Sequence, residues 1–468
     1  MLNITTNQEA RLIKPSVDDF KVDDQSKIIE VEVQNEELCP RYSGVTLSDI
    51  EVKESPDWLK NKLLSIGLSP INNIVDVTNF VLHETGQPLH AFDADQIKGG
   101  KVTVKTMAEK TKFITLDDKE RELSENDLMI CNEEDGMCIA GVFGGAKSGV
   151  TNNTTSIFLE SAYFNPVSVR KTAKRHGLNT DASFRYERGG DPNITVYALK
   201  RAICLMQEVA GGKVSSEITD IYPNTIPNFE VDFNYDNCAK IIGEKIEPSV
   251  IKTILTSLEI EIIEEKDEVL KLSIPPFRVD VQREIDVIEE VLRVYGYNTI
   301  KLPTTMSSAV VYRDKIDKEQ ITNTISDLLV VNGFNEMMSN SLTKSSYYKD
   351  SETLVEISNP LSIELDVLRQ SMLYNGLEVI QYNQNRKLAD LKLFEFGKTY
   401  IKKENEFIET SYLSLFVSGD FYGENWSADK ESTSFYHFKG VLQNIFDRFG
   451  LTKLKFESKE SELSLLAY

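Results

Sequence analysis

Four carboxylates crowd one short stretch of this chain. Residues 275–300 read PPFRVDVQREIDVIEEVLRVYGYNTI and carry Asp280, Asp286, Glu289 and Glu290. Ile285, Ile288, Leu292 and Tyr295 recur at helical spacing, which predicts an amphipathic helix over 284–295. On that helix Asp286, Glu289 and Glu290 stand at i, i+3 and i+4 on one face, where like charges repel. Asp280 lies just upstream and can fold back over the first turn. Three or four oxygen ligands with no nearby His or Cys suit a hard cation, Mg²⁺ above all. Arg293 shares the acidic face, however, and an exposed helix laced by a Glu289–Arg293 pair has the same spacing. Spacing alone leaves both readings open.

Other candidate chemistry is less patterned. GVFGG fits neither the dinucleotide nor the P-loop fingerprint. Its glycines suit either plain packing or a close approach of a ligand or another segment to the backbone. GLNTDASFRYERG, residues 177–189, sets Thr180, Asp181 and Ser183 among Arg185, Glu187 and Arg188, and reads as a loop presenting backbone groups and a hydroxyl to a cleft. His90 sits in the turn-rich GQPLHAFDADQI, where a hydrogen-bonded structural role competes with a catalytic one. No Ser-His-Asp or Cys-His order can be assigned.

Around these stretches lie 468 residues, enough for about three domains. The chain is 41% hydrophobic and 27% charged, an ordinary globular composition. No apolar run approaches the ~20 residues that span a bilayer, and MLNITTNQEARL has no apolar signal core. Five cysteines without a C-x-x-C pair read as reduced thiols in a cytoplasmic protein. A net charge of −22 is not the footprint of a protein that grips nucleic acid by its backbone. Residues 165–201 depart from it, with eight basic against three acidic side chains, a local +5.

The elements that must position these residues follow from patterning. SVDDFKVDD reads as a linker, and IIEVEV and KVTVKT as alternating strands. SPDWLKNKLLSIGL predicts a helix capped by Ser55, with Pro56 at its first position and Gly67 closing it. MCIAGVFGGAKSGV reads as a buried strand broken by glycines. VSVRKTAKRHGL predicts a basic helix stopped at Gly177, and TVYALKRAICLMQEVAGG a second one. Residues 216–228 read as a linker. Beyond Phe229 come a helix capped by Ser249, a hairpin of EIEII and VLKLSI, and the acidic helix. That order suits a small winged-helix-like unit. The last part opens with a helix bearing Ile321, Ile325, Leu328 and Leu329, followed by strands LKLFEFGKTY and YLSLFVSG. The fold class expected is α+β and multidomain.

Several long stretches carry a family resemblance. RYSGV, NNIVDVTNFVLHETGQPLHAFD, AGVFGGAKSGV, FLESAYFNPVSVRKTAKRHGLNTDASFRYERG, PPFRVDVQREIDVIEEVLRVYGY and NPLSIELDVLRQSMLYNGL resemble the bacterial phenylalanine–tRNA ligase β-subunit family, in its order and over nearly the whole chain. The resemblance implies an internal fragment. Residues 1–38 would be the tail of an N-terminal module and 39–215 a tRNA editing module. Residues 229–304 would be a winged-helix-like metal-binding module. Residues 305–468 would be an inactive class II synthetase-like domain with an antiparallel sheet, truncated before an anticodon-binding domain.

It further implies hydrolytic editing of tyrosine misattached to the phenylalanine tRNA, since an apolar pocket cannot strongly reject an isostere that only adds a hydroxyl. His90, Glu160, Thr180 and Ala182 occupy the matching editing positions. Glu160 is expected to accept the tyrosine hydroxyl, Ala182 to leave room for the ring, and His90 and Thr180 to position the ester or a water. Ser69 stands where many relatives carry Arg before PINN; Arg175 and Arg185 are other candidates for anchoring the tRNA end. Asp280, Asp286, Glu289 and Glu290 match Mg²⁺ ligands, the ion being shared with the α subunit. The implied assembly is an α₂β₂ cytoplasmic heterotetramer that binds phenylalanine tRNA and uses ATP on the α subunit. Two other readings compete: a non-catalytic nucleic-acid-binding scaffold with a winged-helix-like module, and a Mg²⁺-dependent phosphohydrolase. The acidic character of helix 284–295 opposes the first, and the lack of a nucleophile or paired metal opposes the second.

Overall fold

The computed structural model describes residues 13–454, apart from 303, 306–307, 310–315, 350, 405, 423–425 and 428. The opening MLNITTNQEARL lies outside them. The chain forms two compact units, Met1–Met306 and Ser307–Tyr468, and is mixed α/β with several sheets.

The first unit is organised around a sheet buried on both faces. Strand Arg41–Ser48 pairs antiparallel with Ser156–Tyr163, which pairs antiparallel with Leu89–Asp93. Lys213–Val214 and Thr219–Ile221 add to the outer side of Arg41–Ser48. Seven of the eight residues in each long strand are buried, so alternate side chains feed two different cores. Val45, Leu47, Ile157, Leu159 and Ala91 enter a core shared with helices Asn73–Thr85 and Thr195–Ala210. Tyr42, Phe158, Ala162 and Phe92 enter the other core, shared with a second sheet. That sheet runs in the order Glu30–Val33, Lys101–Thr106, Leu128–Cys131, Gly136–Ile139, Phe143–Gly144. On the face of the second core, Phe158 lies over Gly44, where any Cβ would collide with its ring.

Residues 229–295 carry a core of their own. Strands Phe229–Asn234, Val269–Ile274 and Glu261–Lys266 form an antiparallel sheet with Val269–Ile274 in the middle. Helices Tyr235–Ile242, Pro248–Ser257 and Glu284–Tyr295 supply its apolar cover. The acidic helix is tied down at its start, where Glu284 accepts from Asn234 N–H at 2.8 Å and from Asn237 Nδ2 at 2.7 Å. Val279, on the segment leading into it, lies against Gly189: a Cβ there would sit 2.6 Å from Val279 Cγ1.

In the second unit Leu391–Lys403 and Glu406–Ser418 form a long antiparallel hairpin, with Asn335–Glu336 parallel on its other edge. Its core gathers Leu329, Phe334, Phe394, Val441 and Ile445. Arg369 and Glu395 form a buried pair at 3.1 Å, joined by Ser339. The helix expected to open this part is Lys318–Val331.

Several local expectations are corrected. Pro56, not Ser55, is the N-cap of helix Asp57–Ser65; the Ser55 hydroxyl instead donates to Asp76 Oδ2 at 2.6 Å. Glu247 takes the cap position assigned to Ser249. The stretch read as a linker before residue 25 is seated on the first unit, with Phe20 and Val22 against its helix-side core and Asp23 N–H bonded to Val214 O. Part of 216–228 is strand. Strand Phe229–Asn234 and helix Tyr235–Ile242 precede the helix–hairpin–helix order expected from sequence.

Candidate functional site

The strand register places two titratable groups side by side. Glu160 pairs directly with His90 on one neighbouring strand and with Gly44 on the other. Directly paired residues send their side chains from the same face, about 5 Å apart at Cβ. That face looks toward a cavity of about 440 Å³, roofed by the Gly136–Gly144 hairpin and bounded by the start of helix Asn73–Thr85. Asn72 caps that helix, accepting from Ile74 N–H and Val75 N–H, which fixes the wall carrying Val75, Thr78 and Leu82. His90, Glu160, Thr180 and Ala182, drawn from three separate stretches, all line this one cavity.

Glu160 is 4% exposed. Burial raises its carboxyl pKa to about 8, against a smaller lowering by the Tyr42 hydroxyl, which donates to Oε2 at 2.9 Å. The group is therefore a neutral acid at neutral pH, able to donate as well as accept. Burial lowers the His90 pKa to about 4, so its ring is neutral too. His90 stands edge-on to Phe92, with ring centroids 4.4 Å apart, and its buried Nε2 has no hydrogen-bond partner among the described residues. The Phe143–Gly144 strand passes directly over it. A Cβ at residue 144 would sit 3.1 Å from His90 Cε1 and 2.8 Å from Leu116 Cδ1, so the glycine serves close approach here.

Residues 177–189, read from sequence as a loop, instead contain a helix, Asp181–Tyr186. Thr180 is its N-cap in a reciprocal capping box with Ser183. The Thr180 hydroxyl accepts from Ser183 N–H at 3.0 Å and gives its proton to Val142 O at 2.9 Å. One lone pair remains for the cavity, so without breaking a bond this hydroxyl can only accept. Ala182 follows on the cavity wall. Tyr186 pins the helix to the sheet by donating to Ala162 O at 3.0 Å.

The flanking basic helix Pro166–His176 ends at Gly177 in the left-handed region, φ 64°. Beneath it lies the fully buried Asp127, whose carboxylate meets Thr172 at 2.9 Å, His176 at 2.7 Å, Arg175 and Ser124 N–H. Burial opposes its ionisation, but the hydrogen bonds from Ser124 N–H, His176 and Thr172 win and keep its pKa below the usual carboxylate value. Arg175 is thus engaged with Asp127 although its side chain is exposed, and Arg170, Lys171, Lys174 and Arg185 are exposed as well.

The four carboxylates of 280–290 are not brought together. Asp286 pairs with Arg283 at 2.8 Å and accepts from Arg283 N–H at 2.9 Å. Glu290 is held by both Arg278 and Arg293, whereas Asp280 and Glu289 are exposed. Among the described residues no group of three or more His, Cys, Asp or Glu side chains is placed to hold a metal ion. In this arrangement the set does not fit an ion, and the arginine-laced face describes it, with Glu290 in the place expected for Glu289.

Comparison with known proteins decides the family. Residues 38–211 match the B3/4 domain, 231–297 the tRNA synthetase B5 domain, and 302–466 the phenylalanyl tRNA synthetase beta chain CLM domain. A phenylalanine–tRNA ligase beta subunit of Bacteroides fragilis (strain YCH46) is 51% identical over 463 residues, 96% of this chain and 56% of the relative. The chain belongs to the phenylalanine–tRNA ligase beta subunit family. Another such subunit, from Bacteroides thetaiotaomicron, is 50% identical over 96% of this chain and 56% of its own length; one from Porphyromonas gingivalis is 46% identical over 94% and 55%. The chain thus spans a little over half the length of the family members it matches. The family is that of an aminoacyl-tRNA synthetase subunit. Among the described residues no helix is long and apolar enough to cross a membrane, and all five cysteines are free thiols.

Sequence reasoning missed Tyr42. RYSGV was among the family-like stretches, but nothing in it signals that its tyrosine reaches a carboxylate 118 residues away. The wall residue Leu116 was likewise unmarked.

Proposed function

We propose that this chain supplies the hydrolytic editing site of a phenylalanine–tRNA ligase, clearing tyrosine misattached to the phenylalanine tRNA. One observation carries the reading: His90, Glu160, Thr180 and Ala182 share a single cavity with a buried neutral carboxyl on its face. A cavity of about 440 Å³ with largely apolar walls suits an aromatic side chain, and the carboxyl is what distinguishes a phenol from a plain ring. Hydrolysing an activated ester asks mainly for orientation and stabilisation of the oxyanion, so neutral His90 and the Thr180 lone pair serve as positioning groups for ester or water. Exposed Arg170, Lys171, Lys174 and Arg185 offer the approaching tRNA a basic margin.

The aminoacylating α subunit, with its ATP, is the proposed partner in a cytoplasmic α₂β₂ assembly. The hairpin face carrying Ile408 and Tyr412, both exposed, is compatible with a covering subunit. The winged-helix-like and class II synthetase-like descriptions of 229–304 and 305–468 belong to the same proposal. So does Mg²⁺ at Asp280, Asp286, Glu289 and Glu290, which rests on the resemblance alone. An ion there requires the arginine pairs to be exchanged.

The experiment is deacylation of tyrosyl-tRNA by the complete two-subunit enzyme. Glu160→Ala and His90→Ala should each slow clearance or blunt its preference for tyrosine. If both variants clear tyrosyl-tRNA at the parent rate, the site assignment is wrong.

A further inference from the structure

The editing reading leaves one buried group without a task. Tyr42 is 0% exposed, on the cavity-side face of the sheet and opposite Ala162. A buried phenol needs a hydrogen-bond partner, and this one has taken Oε2 of Glu160. The titratable groups facing Glu160 come from four elements: Cys39 and Tyr42 at the Arg41–Ser48 strand, His90 on Leu89–Asp93, Cys138 on the hairpin, and Tyr186 on the short helix. Asp181 stands on the cavity wall. No cation is among them. Tyr42 is the side chain that the described residues bring into hydrogen bonding with this carboxyl, and Oε1 is left for whatever enters the cavity.

We propose that Tyr42 is a positioning residue for tyrosine recognition: by occupying Oε2 it clamps the Glu160 carboxyl to the sheet and presents Oε1 alone to the phenol of the substrate. This rests on the editing reading above. A terminal carboxyl otherwise rotates over a broad two-fold torsion and offers its oxygens interchangeably. Clamped and neutral, with Oε2 accepting from Tyr42, it carries its single proton on Oε1 and donates it to the phenol oxygen. A site committed to hydrogen bonding a substrate hydroxyl rejects the analogue lacking it far better than an apolar pocket rejects an added hydroxyl. Tyr42 is what makes that commitment geometric.

The test is Tyr42→Phe in the complete two-subunit enzyme, read as kcat/KM for deacylation of tyrosyl- and phenylalanyl-tRNA across a neutral-to-alkaline pH series. The tyrosyl-to-phenylalanyl ratio should fall about tenfold. The alkaline limb of the parent tyrosyl profile follows Glu160 at about 8. It should move to higher pH in the variant, because a hydrogen bond favouring the ionised carboxyl is gone. Site-specific replacement of Tyr42 by 3-fluorotyrosine keeps the shape, strengthens the donor and should move the limb to lower pH, even if Tyr42→Phe proves unstable. An unchanged ratio and unmoved limbs overturn the proposal. So does equal loss of both activities without a limb shift, which is mere packing damage. If instead Glu160→Ala clears tyrosyl-tRNA normally, the editing reading itself has failed and takes this proposal with it.

Discussion

Glu160 and His90 are direct cross-strand partners, and both are kept uncharged by the same desolvated face. One is an acid whose pKa is raised and the other a base whose pKa is lowered, so the pair leaves no net charge in the cavity. Clusters of this kind mark functional sites more often than structural ones.

The two shifts have opposite linkage. Glu160 retains its proton in the fold up to about 8, whereas unfolded Glu loses it near 4.5. Its stabilising contribution is thus full below about 4.5 and is lost as pH rises toward 8. Folded His90 binds its proton only below about 4, against 6.5 unfolded, so stability falls as pH drops through that window. Between 6.5 and 8 only Glu160 contributes. Glu160→Gln should flatten the pH dependence of melting in that range and raise stability at the alkaline end, by an amount on the order of a few kcal/mol. Thermal melting at a series of pH values measures it; an unchanged slope would contradict a neutral Glu160.

Space in the cavity is set by two small residues. Ala182→Leu places three extra carbons on the wall and should cut tyrosyl-tRNA clearance by about tenfold or more, with melting little altered because the new side chain fills open volume. Gly144→Ala should do both kinds of harm. Its Cβ meets Leu116 and His90, so a loss of about 1–3 kcal/mol in stability accompanies the loss of activity. Paired melting and deacylation measurements separate the two cases.

Asp127 anchors the basic helix that leads to Thr180. Asp127→Ala leaves Ser124 N–H, Thr172, Arg175 and His176 without their shared acceptor and should cost about 3 kcal/mol or more. Since the fold holds its pKa below the ordinary 3.8, the contribution is present above that value and lost as pH falls below it. Chemical denaturation at neutral and acid pH gives the difference, which should shrink toward the acid end.

Arginine pairing around Glu290 and Asp286 predicts that Mg²⁺ added to this chain by itself leaves its melting midpoint unmoved at millimolar concentration. Arg278→Met with Arg293→Met should create a Mg²⁺-dependent shift by releasing Glu290. Calorimetric titration of both proteins checks this, and saturable uptake by the parent would show that the arginines yield to the ion.

Helix 284–295 was legible as a helix, but not its buried face: the core takes Val287, Ile288, Val291 and Val294, and of the expected Ile285, Ile288, Leu292 and Tyr295 only Ile288 is buried while Ile285 is exposed. The fate of its acids was not legible either, since Arg278 and Arg283 reach them from an irregular segment whose path no periodicity encodes. The helix Asp181–Tyr186 is too short to show a period, and the Thr180 cap that starts it also resembles a turn signal. The cavity residues could be named from resemblance. Their grouping depends on a register that sets Glu160 opposite His90 on a strand far away in sequence, and the Tyr42–Glu160 bond depends on one that bridges 118 residues.

Gly189 and Val279 touch where the turn after the cavity helix meets the approach to the acidic helix. With φ at 86° and Val279 Cγ1 2.6 Å from where a Cβ would stand, residue 189 is a position that glycine alone fills without strain. Any side chain at residue 189 would press on the approach to the acidic helix, so the small module and the turn that follows the Thr180–Tyr186 wall meet there backbone against valine, with no gap to fill.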